Sequence, residues 1–234
     1  MTLCLITRAL PGAHVSEAGL LAMGLKPVVV PAAKIEATNA VIDVTGVQAL
    51  LMTSAAAART TNSNQLILDL PVYAVGDATA EAAQNAGFNN VISAGGDGAT
   101  LAVLAADRMS TSAGALLHLR GQEVAGDVTG MLSACGFDTR FIEVYHTSDH
   151  PDFRKGVLRY LHEGAGLILF HSPAGARRFC DAIEDQNINL SGWGAVGLSQ
   201  ACISPLQHRG FAHLFCASQP DENALLEAIS EHFA

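Results

Sequence analysis

The sequence predicts an α/β protein built as two similar doubly wound parallel-sheet lobes, joined by a two-stranded hinge and with the first domain discontinuous. Three observations lead there: a long tandem repeat, an alternation of short apolar runs with helical segments, and two connectors that break the pattern at matching places. LCLITR (Leu3 to Arg8) recurs as ALLHLR (Ala115 to Arg120), with Arg8 and Arg120 lying 112 positions apart. Each arginine is followed sixteen positions later by a glycine, Gly24 and Gly136, that closes an apolar-striped segment and leads into another strand. ALLMTSAAAAR (Ala49 to Arg59) is answered by LILFHSPAGAR (Leu167 to Arg177), and YAVGDATA (Tyr73 to Ala80) by GAVGLSQA (Gly194 to Ala201). A period this long excludes solenoid units and points to a duplicated α/β half.

Apolar runs bounded by Gly, Ser, Thr or Asp place strands at residues 3–8, 27–31, 48–53, 72–76, 90–93, 115–120, 138–144, 166–171, 193–197 and 212–216. Between them, helical spacing predicts helices in most gaps, for example over Ala13 to Met23, Ala78 to Ala86, Ala99 to Met109, Glu123 to Cys135, Gly175 to Glu184 and Glu222 to Phe233. Ser54, Asp77, Asp97, Ser172, Ser199 and Asp221 are residue types that cap helix N-termini. The stretches 32–39 and 143–149 carry neither pattern and read as hinge linkers. If both cross between lobes, one domain is continuous over 40–142 and the other is assembled from 1–31 plus 150–234. A cleft between such lobes is a natural ligand site.

Composition narrows the class. At 50% hydrophobic content the 234 residues suffice for buried cores. No apolar run reaches the roughly 18 residues of a membrane span, and no signal-peptide pattern precedes the strand at Leu3. The expectation is a cytoplasmic, soluble protein with no membrane partner. A net charge of −9, with thirteen scattered Lys and Arg, argues against nucleic acid. Five cysteines without a C-x-x-C spacing read as buried free thiols. No heptad pattern is present, so a monomer is expected.

In an open parallel sheet the ligand crevice lies beyond the carboxyl ends of the strands. The residues there are Thr7 and Arg8, Thr53 and Ser54, Gly76 to Thr79, Arg120 and Gly121, His171 and Ser172, and Gly197 to Ser199. Small hydroxyl residues and glycines at helix starts leave N–H groups open to carboxylate or phosphate, which suggests an anionic ligand. Taken singly, each Ser or Thr also serves as an ordinary helix cap. Sharper motifs are missing. GGDG (Gly95 to Gly98) is not a dinucleotide fingerprint. GLSQA (Gly197 to Ala201) lacks the last glycine of a nucleophile elbow, and its repeat copy GDATA has no serine there. His146 and His150 have i, i+4 spacing, but Asp149 and Pro151 favour a loop over the helix that a zinc pair needs, so no metal is expected.

In order and spacing these motifs resemble the uroporphyrinogen-III synthase family over nearly the whole chain. Thr7-Arg8 resembles the family's opening TRP, with Ala9 in place of proline. MTSAAAA from Met52 resembles its FTSxxAV, and Val75, Gly76, Thr79 and Ala80 its VGxxTA. Arg120-Gly121 resembles its RG strand end, Val144, Tyr145 and Thr147 its VYxT, and Phe170, Ser172, Pro173 and Phe179 its FxSPxxxxxF. The family's IGxxTA becomes VGLSQA, so Gln200 stands where threonine is usual, with Ser199 beside it.

The resemblance implies two α/β lobes joined by a two-stranded ladder. It also implies cyclisation of hydroxymethylbilane, a linear tetrapyrrole with eight carboxylates, to uroporphyrinogen III. Water leaves, ring D inverts through a spiro intermediate, and no cofactor is used. It makes Tyr145 the candidate catalytic residue, assisting departure of the hydroxyl. Thr7, Arg8, Thr53, Ser54, Gly76, Thr79, Arg120, Gly121, Ser172, Gly197, Ser199 and Gln200 become candidate substrate-binding residues. Tyr145 packing only at the hinge, and Arg8 or Arg120 bridging the lobes through Asp or Glu, remain open. So does a second class, a non-catalytic two-lobed binding protein for an anionic small molecule. An acidic protein binding an acidic substrate should associate better as salt rises.

Overall fold

The computed structural model describes residues 1–61, 65–123, 126–162 and 164–233. The chain divides into two compact units, Met1–Lys34 with Ser148–Ala234, and Ile35–Thr147.

The first unit holds β1 (Leu3–Ile6), α1 (Ala13–Ala22) and β2 (Lys26–Val29), and resumes with α7 (Phe153–His162), β9 (Gly166–Phe170), α8 (Pro173–Ile183), β10 (Trp193–Gly197), α9 (Gln200–Ile203), β11 (His213–Cys216) and α10 (Glu222–Phe233). Its sheet has the order β11-β10-β9-β1-β2, and every pairing is parallel. Alternation of side chains puts Leu5, Ile168, Phe170 and Trp193 on one face under α7 and α8, and Cys4, Ile6, Leu167 and Leu169 on the other under α1 and α10. Both faces are covered, which is why these strands are continuous apolar runs.

The second unit contains β4 (Val47–Met52), α2 (Ala55–Thr60), α3 (Gln65–Leu68), β5 (Val72–Ala74), α4 (Asp77–Asn85), β6 (Val91–Ser93), α5 (Gly98–Arg108), β7 (Ala115–Gly121) and α6 (Val128–Ala134). The remaining strands, β3 (Ala33–Ala37) and β8 (Thr139–Asp149), span the two boundaries between units. The sheet order is β3-β8-β7-β4-β5-β6, parallel from β8 through β6. Leu50, Met52, Leu117 and Leu119 face α2 and α4, while Leu51, Leu116 and Tyr73 face α5 and α6.

The repeat glycines do the same work in both units. Gly24 (φ 73°) and Gly136 (φ 89°) end α1 and α6 in the left-handed region that suits glycine. Leu25 N–H then reaches back to Leu20 O and Phe137 N–H to Leu132 O, satisfying carbonyls that the helix ends leave open.

The structure departs from the sequence reading in several places. The expected linkers contain strand: β3 fills most of 32–39, and β8 continues through 143–149 to Asp149. Ladder hydrogen bonds stabilise both segments, with Thr38 N–H donating to Val144 O. Helices α2 and α9 begin after Ser54 and Ser199, two of the expected cap residues. The helix expected over 123–135 begins at Val128, because Asp127 caps it through Gly130 N–H; residues 124 and 125 lie outside the described residues. Gly76, not Asp77, is the N-cap of α4, and Asp77 instead accepts a hydrogen bond from Ser93. All five cysteines are free, and Cys4, Cys180 and Cys202 are buried. Cys135 is exposed where α6 ends, and Cys216 is half-buried on the sheet's outer strand. Burial pushes the Cys4 thiol up to about 12.

β2 is an edge strand. Lys26 and Val30 donate their N–H groups to Thr2 O and Ile6 O, so the alternating positions Pro27, Val29 and Pro31 turn away from the sheet.

Candidate functional site

Because the strands run parallel, each sheet collects its strand-end residues along one carboxyl edge. In the second unit, β8-β7-β4-β5 lines up Tyr145, Arg120 and Gly121, Thr53 and Ser54, then Gly76 and Thr79. Tyr145 pairs in register with Gly121, and its hydroxyl lies 2.9 Å from Ser54 Oγ. Ser54 is the N-cap of α2 and accepts the Ala57 N–H at 3.2 Å. Thr79, in the first turn of α4, is 6% exposed, and its hydroxyl has no hydrogen-bond partner among the described residues. Gly76 needs no special space, since a Cβ there would meet only Gly96 O at 3.9 Å.

Thr53 Oγ1 lies 3.0 Å from Nε2 of His118. This histidine sits inside β7, 3% exposed. Burial, and then the positive charge of Arg120, lowers its pKa to about 4, so the ring is neutral at pH 7. Arg120 stacks on the Phe141 ring at 3.7 Å and reaches Glu143 at 3.4 Å. A cavity of about 440 Å³ beyond β4 and β5 is lined by Thr53, Val75, Asp97, Asp127 and Met131. Its two aspartates cap α5 and α6, and the Thr100 N–H holds the Asp97 carboxyl below its ordinary range. Fixed negative charge makes this cavity a poor place for carboxylates, in contrast to the Tyr145–Ser54–Thr79 stretch of the same edge.

The first unit carries charge at its edge. Thr7 is buried and donates its hydroxyl to Leu169 O at 2.7 Å, tying β1 to β9. Arg8 pairs with Glu222 at 3.0 Å. His171 Nε2 lies 3.2 Å from the same carboxylate oxygen and 3.1 Å from Ser16 Oγ. Burial alone would raise the Glu222 carboxyl, but hydrogen bonds from His171 and Ser16 and the charges of His171 and Arg8 hold it below its ordinary range. Both arginines therefore pair inside their own unit, Arg8 with Glu222 and Arg120 with Glu143.

Ser172 caps α8 through the Gly175 N–H at 3.0 Å. Ser199 precedes α9 without a side-chain cap bond, and its hydroxyl lies 3.4 Å from Cys202 Sγ. With no histidine bonded to it among the described residues, Ser199 has no base to make it a nucleophile. Gly197 is fixed by packing, since a Cβ would fall 2.6 Å from Ile203 Cγ2. Gln200 is exposed and accepts a weak contact from Cys216 Sγ at 3.8 Å. His146 lies in β8 and His150 just beyond it, neither on a helix, and no cluster of three potential metal-binding side chains occurs among the described residues. A second cavity, of about 340 Å³ between β2 and α7, is lined by none of the sequence-predicted residues.

Ser16, His118 and Glu222 escape the sequence reading. A signal exists for Ser16, a hydroxyl in the buried stripe Ala13, Ser16, Leu20 of α1. Glu222 passes for an ordinary acidic residue in a first helical turn.

The fold and the two edges define a two-unit α/β protein whose strand ends carry hydroxyl groups and, in each unit, a braced arginine. Comparison with known proteins makes this specific. The family described as uroporphyrinogen-III synthase HemD matches residues 15–227, and the chain belongs to that family. It is a cyclising lyase of tetrapyrrole biosynthesis that acts on hydroxymethylbilane. Among solved structures, the uroporphyrinogen-III synthetase from Helicobacter pylori is similar at 17% identity and a TM-score of 0.67, over 99% of each chain. A mutant uroporphyrinogen III synthase from the extremely thermophilic bacterium Thermus thermophilus is similar at 13% identity and a TM-score of 0.51, over 99% of this chain and 98% of the other. These likenesses show the shared two-lobed α/β fold. No curated protein sequence matches the chain.

Proposed function

We propose that the chain closes hydroxymethylbilane with Tyr145 as proton donor, and with Thr79, Arg8 and Arg120 holding substrate carboxylates. The Tyr145 hydroxyl gives its proton to the terminal hydroxyl of the bilane. The carbon–oxygen bond breaks, water leaves, and the electron pair of the adjacent pyrrole nitrogen completes the azafulvene. The substituted carbon of ring D then attacks that carbon to form the spiro intermediate. The bond from that ring-D carbon to the methylene of ring C then breaks, leaving an azafulvene on ring C. The unsubstituted α-carbon of ring D attacks its methylene, which inverts ring D and closes the macrocycle, and the proton lost from that carbon on rearomatisation returns to the tyrosine oxygen. The bilane also cyclises unaided to the uninverted isomer, so the protein's main contribution is to hold the ring-D carbon against the azafulvene. Orientation of this kind is worth up to roughly 7–11 kcal/mol.

The observation that supports the reading is the Tyr145 hydroxyl at the carboxyl edge, 2.9 Å from Ser54, with the unpartnered Thr79 hydroxyl on the same edge. The decisive experiment supplies freshly generated hydroxymethylbilane and separates the products after oxidation to porphyrins. Predominant type III isomer is expected. Type I at the spontaneous rate would leave only a binding protein for anionic molecules. Thr79→Ala should lower turnover several-fold with little change in melting temperature, whereas a large fall in melting temperature would mark the residue as structural.

The net charge of −9 supports action without nucleic acid. No helix among the described residues is long and apolar enough to cross a membrane. Cytoplasmic action as a monomer completes the proposal, and sedimentation of the purified protein tests the monomer.

A further inference from the structure

We infer that Ser54 and Gly121 are positioning residues for Tyr145: Ser54 donates its hydroxyl hydrogen to the phenol oxygen, and Gly121 leaves the space in which the ring lies. The inference rests on Tyr145 being the proton donor. A serine hydroxyl has one hydrogen to give and two lone pairs to receive. One lone pair of Ser54 already accepts the Ala57 N–H at 3.2 Å, which polarises the O–H bond, and Tyr145 Oη lies 2.9 Å away. With Ser54 as donor, the phenol hydrogen stays free for the leaving hydroxyl. As that hydrogen departs, negative charge grows on Oη, and the Ser54 hydrogen bond strengthens into a charge-assisted one. The opposite direction, with Tyr145 donating to Ser54, would tie up the proton that the reaction needs.

Gly121 acts through space alone. Its φ is outside the left-handed region, so backbone strain does not require glycine there. A Cβ at this position would fall 2.5 Å from Tyr145 Cζ, 2.7 Å from Cε2 and 2.8 Å from Oη. Any larger residue therefore displaces the reacting end of the ring. The other repeat serves as an internal control. The counterpart of Gly121 is Ala9, and that of Ser54 is Ser172, which caps α8 and meets no tyrosine among the described residues. The glycine occurs in the repeat where the phenol must fit.

The test compares kcat and KM for hydroxymethylbilane, corrected for spontaneous closure, in Ser54→Ala, Ser54→Thr, Ser54→Asp, Gly121→Ala, Tyr145→Phe and the double variant Ser54→Ala/Tyr145→Phe. Ser54→Ala should lower kcat about tenfold with KM within about twofold, and Ser54→Thr should restore most of it. Ser54→Asp keeps the helix cap but has no hydrogen to give, so it should be as slow as Ser54→Ala while melting like the parent. Gly121→Ala should lower kcat at unchanged fold, and the double variant should be no slower than Tyr145→Phe. Unchanged kcat in Tyr145→Phe would overturn the proton-donor reading itself. A slow Tyr145→Phe beside a Ser54→Ala that keeps its kcat, or whose loss multiplies with that of Tyr145→Phe, would overturn this inference alone.

Discussion

Thr53 and His171 occupy the same place in the two repeats, at the end of the strand that precedes a serine-capped helix, yet their surroundings differ in kind. Thr53 rests on the neutral ring of His118, whose counterpart in the other repeat is the apolar Ile6. His171 instead meets Ser16 and a carboxylate that also binds Arg8. At this pair of positions one unit uses a neutral hydroxyl–imidazole contact and the other an ionic network. The duplicated backbone fixes where side chains stand, and each copy has acquired its own chemistry there.

Acid should separate the two halves first and by the largest margin. His118 keeps its neutral form down to about 4, against an ordinary value of 6.5. The unfolded chain therefore takes up this proton at higher pH than the folded one, and stability present above pH 6.5 is lost as the pH falls towards 4. At 1.36 kcal/mol per unit, the loss reaches roughly 3 kcal/mol. Glu222, held below its ordinary 4.5, adds its own loss only at lower pH. Urea unfolding at a series of pH values should show the first loss in the parent and a flattened slope in His118→Leu. An unchanged slope would mean that His118 is not the group responsible.

Removing the carboxylate of the ionic network is the next largest effect. Glu222→Ala leaves the buried His171 and the half-exposed Arg8 without their common partner, and should cost about 1–3 kcal/mol in urea unfolding. The pH dependence contributed by His118 should persist in that variant. Its disappearance would show that the two edges do not act separately.

The smallest contrast lies between the capping serines of the first unit. Ser172→Ala removes a hydrogen bond to Gly175 N–H and should cost about 1 kcal/mol. Ser199→Ala removes no cap bond and should fall within about 0.5 kcal/mol of the parent. Equal melting temperatures for the two variants would show that the difference in cap geometry has no energetic weight.

Much of this organisation is legible without any coordinates. The repeat, the ten apolar strands and the strand-end hydroxyls follow from local pattern, since period and punctuation are local properties. What escapes is either weakly patterned or long-range. AKIEA of β3 alternates apolar and polar residues over only five positions, and the end of β8 is polar, so neither segment declares a strand by itself, and it is pairing that keeps them extended. Phe153, Val157 and Leu161 of α7 do carry helical spacing, which the neighbouring polar loop obscures. In the site, the Ser16–His171 contact joins residues 155 positions apart, and Ser54 meets Tyr145 across 91. Sequence patterns mark each partner as a cap, an ordinary helix residue or a strand end, while the contact itself exists only after the sheet has formed.

The outward side of β2 bears on how copies of the chain meet one another. A foreign strand extends a sheet by matching a row of free N–H and carbonyl groups, and proline has no N–H to offer. Along Pro27, Val29 and Pro31, Val29 alone carries one. This flank can give an incoming strand a single anchoring N–H, too little to template a shared sheet, so crowding in a concentrated solution should not make fibre seeds of the first unit along this edge.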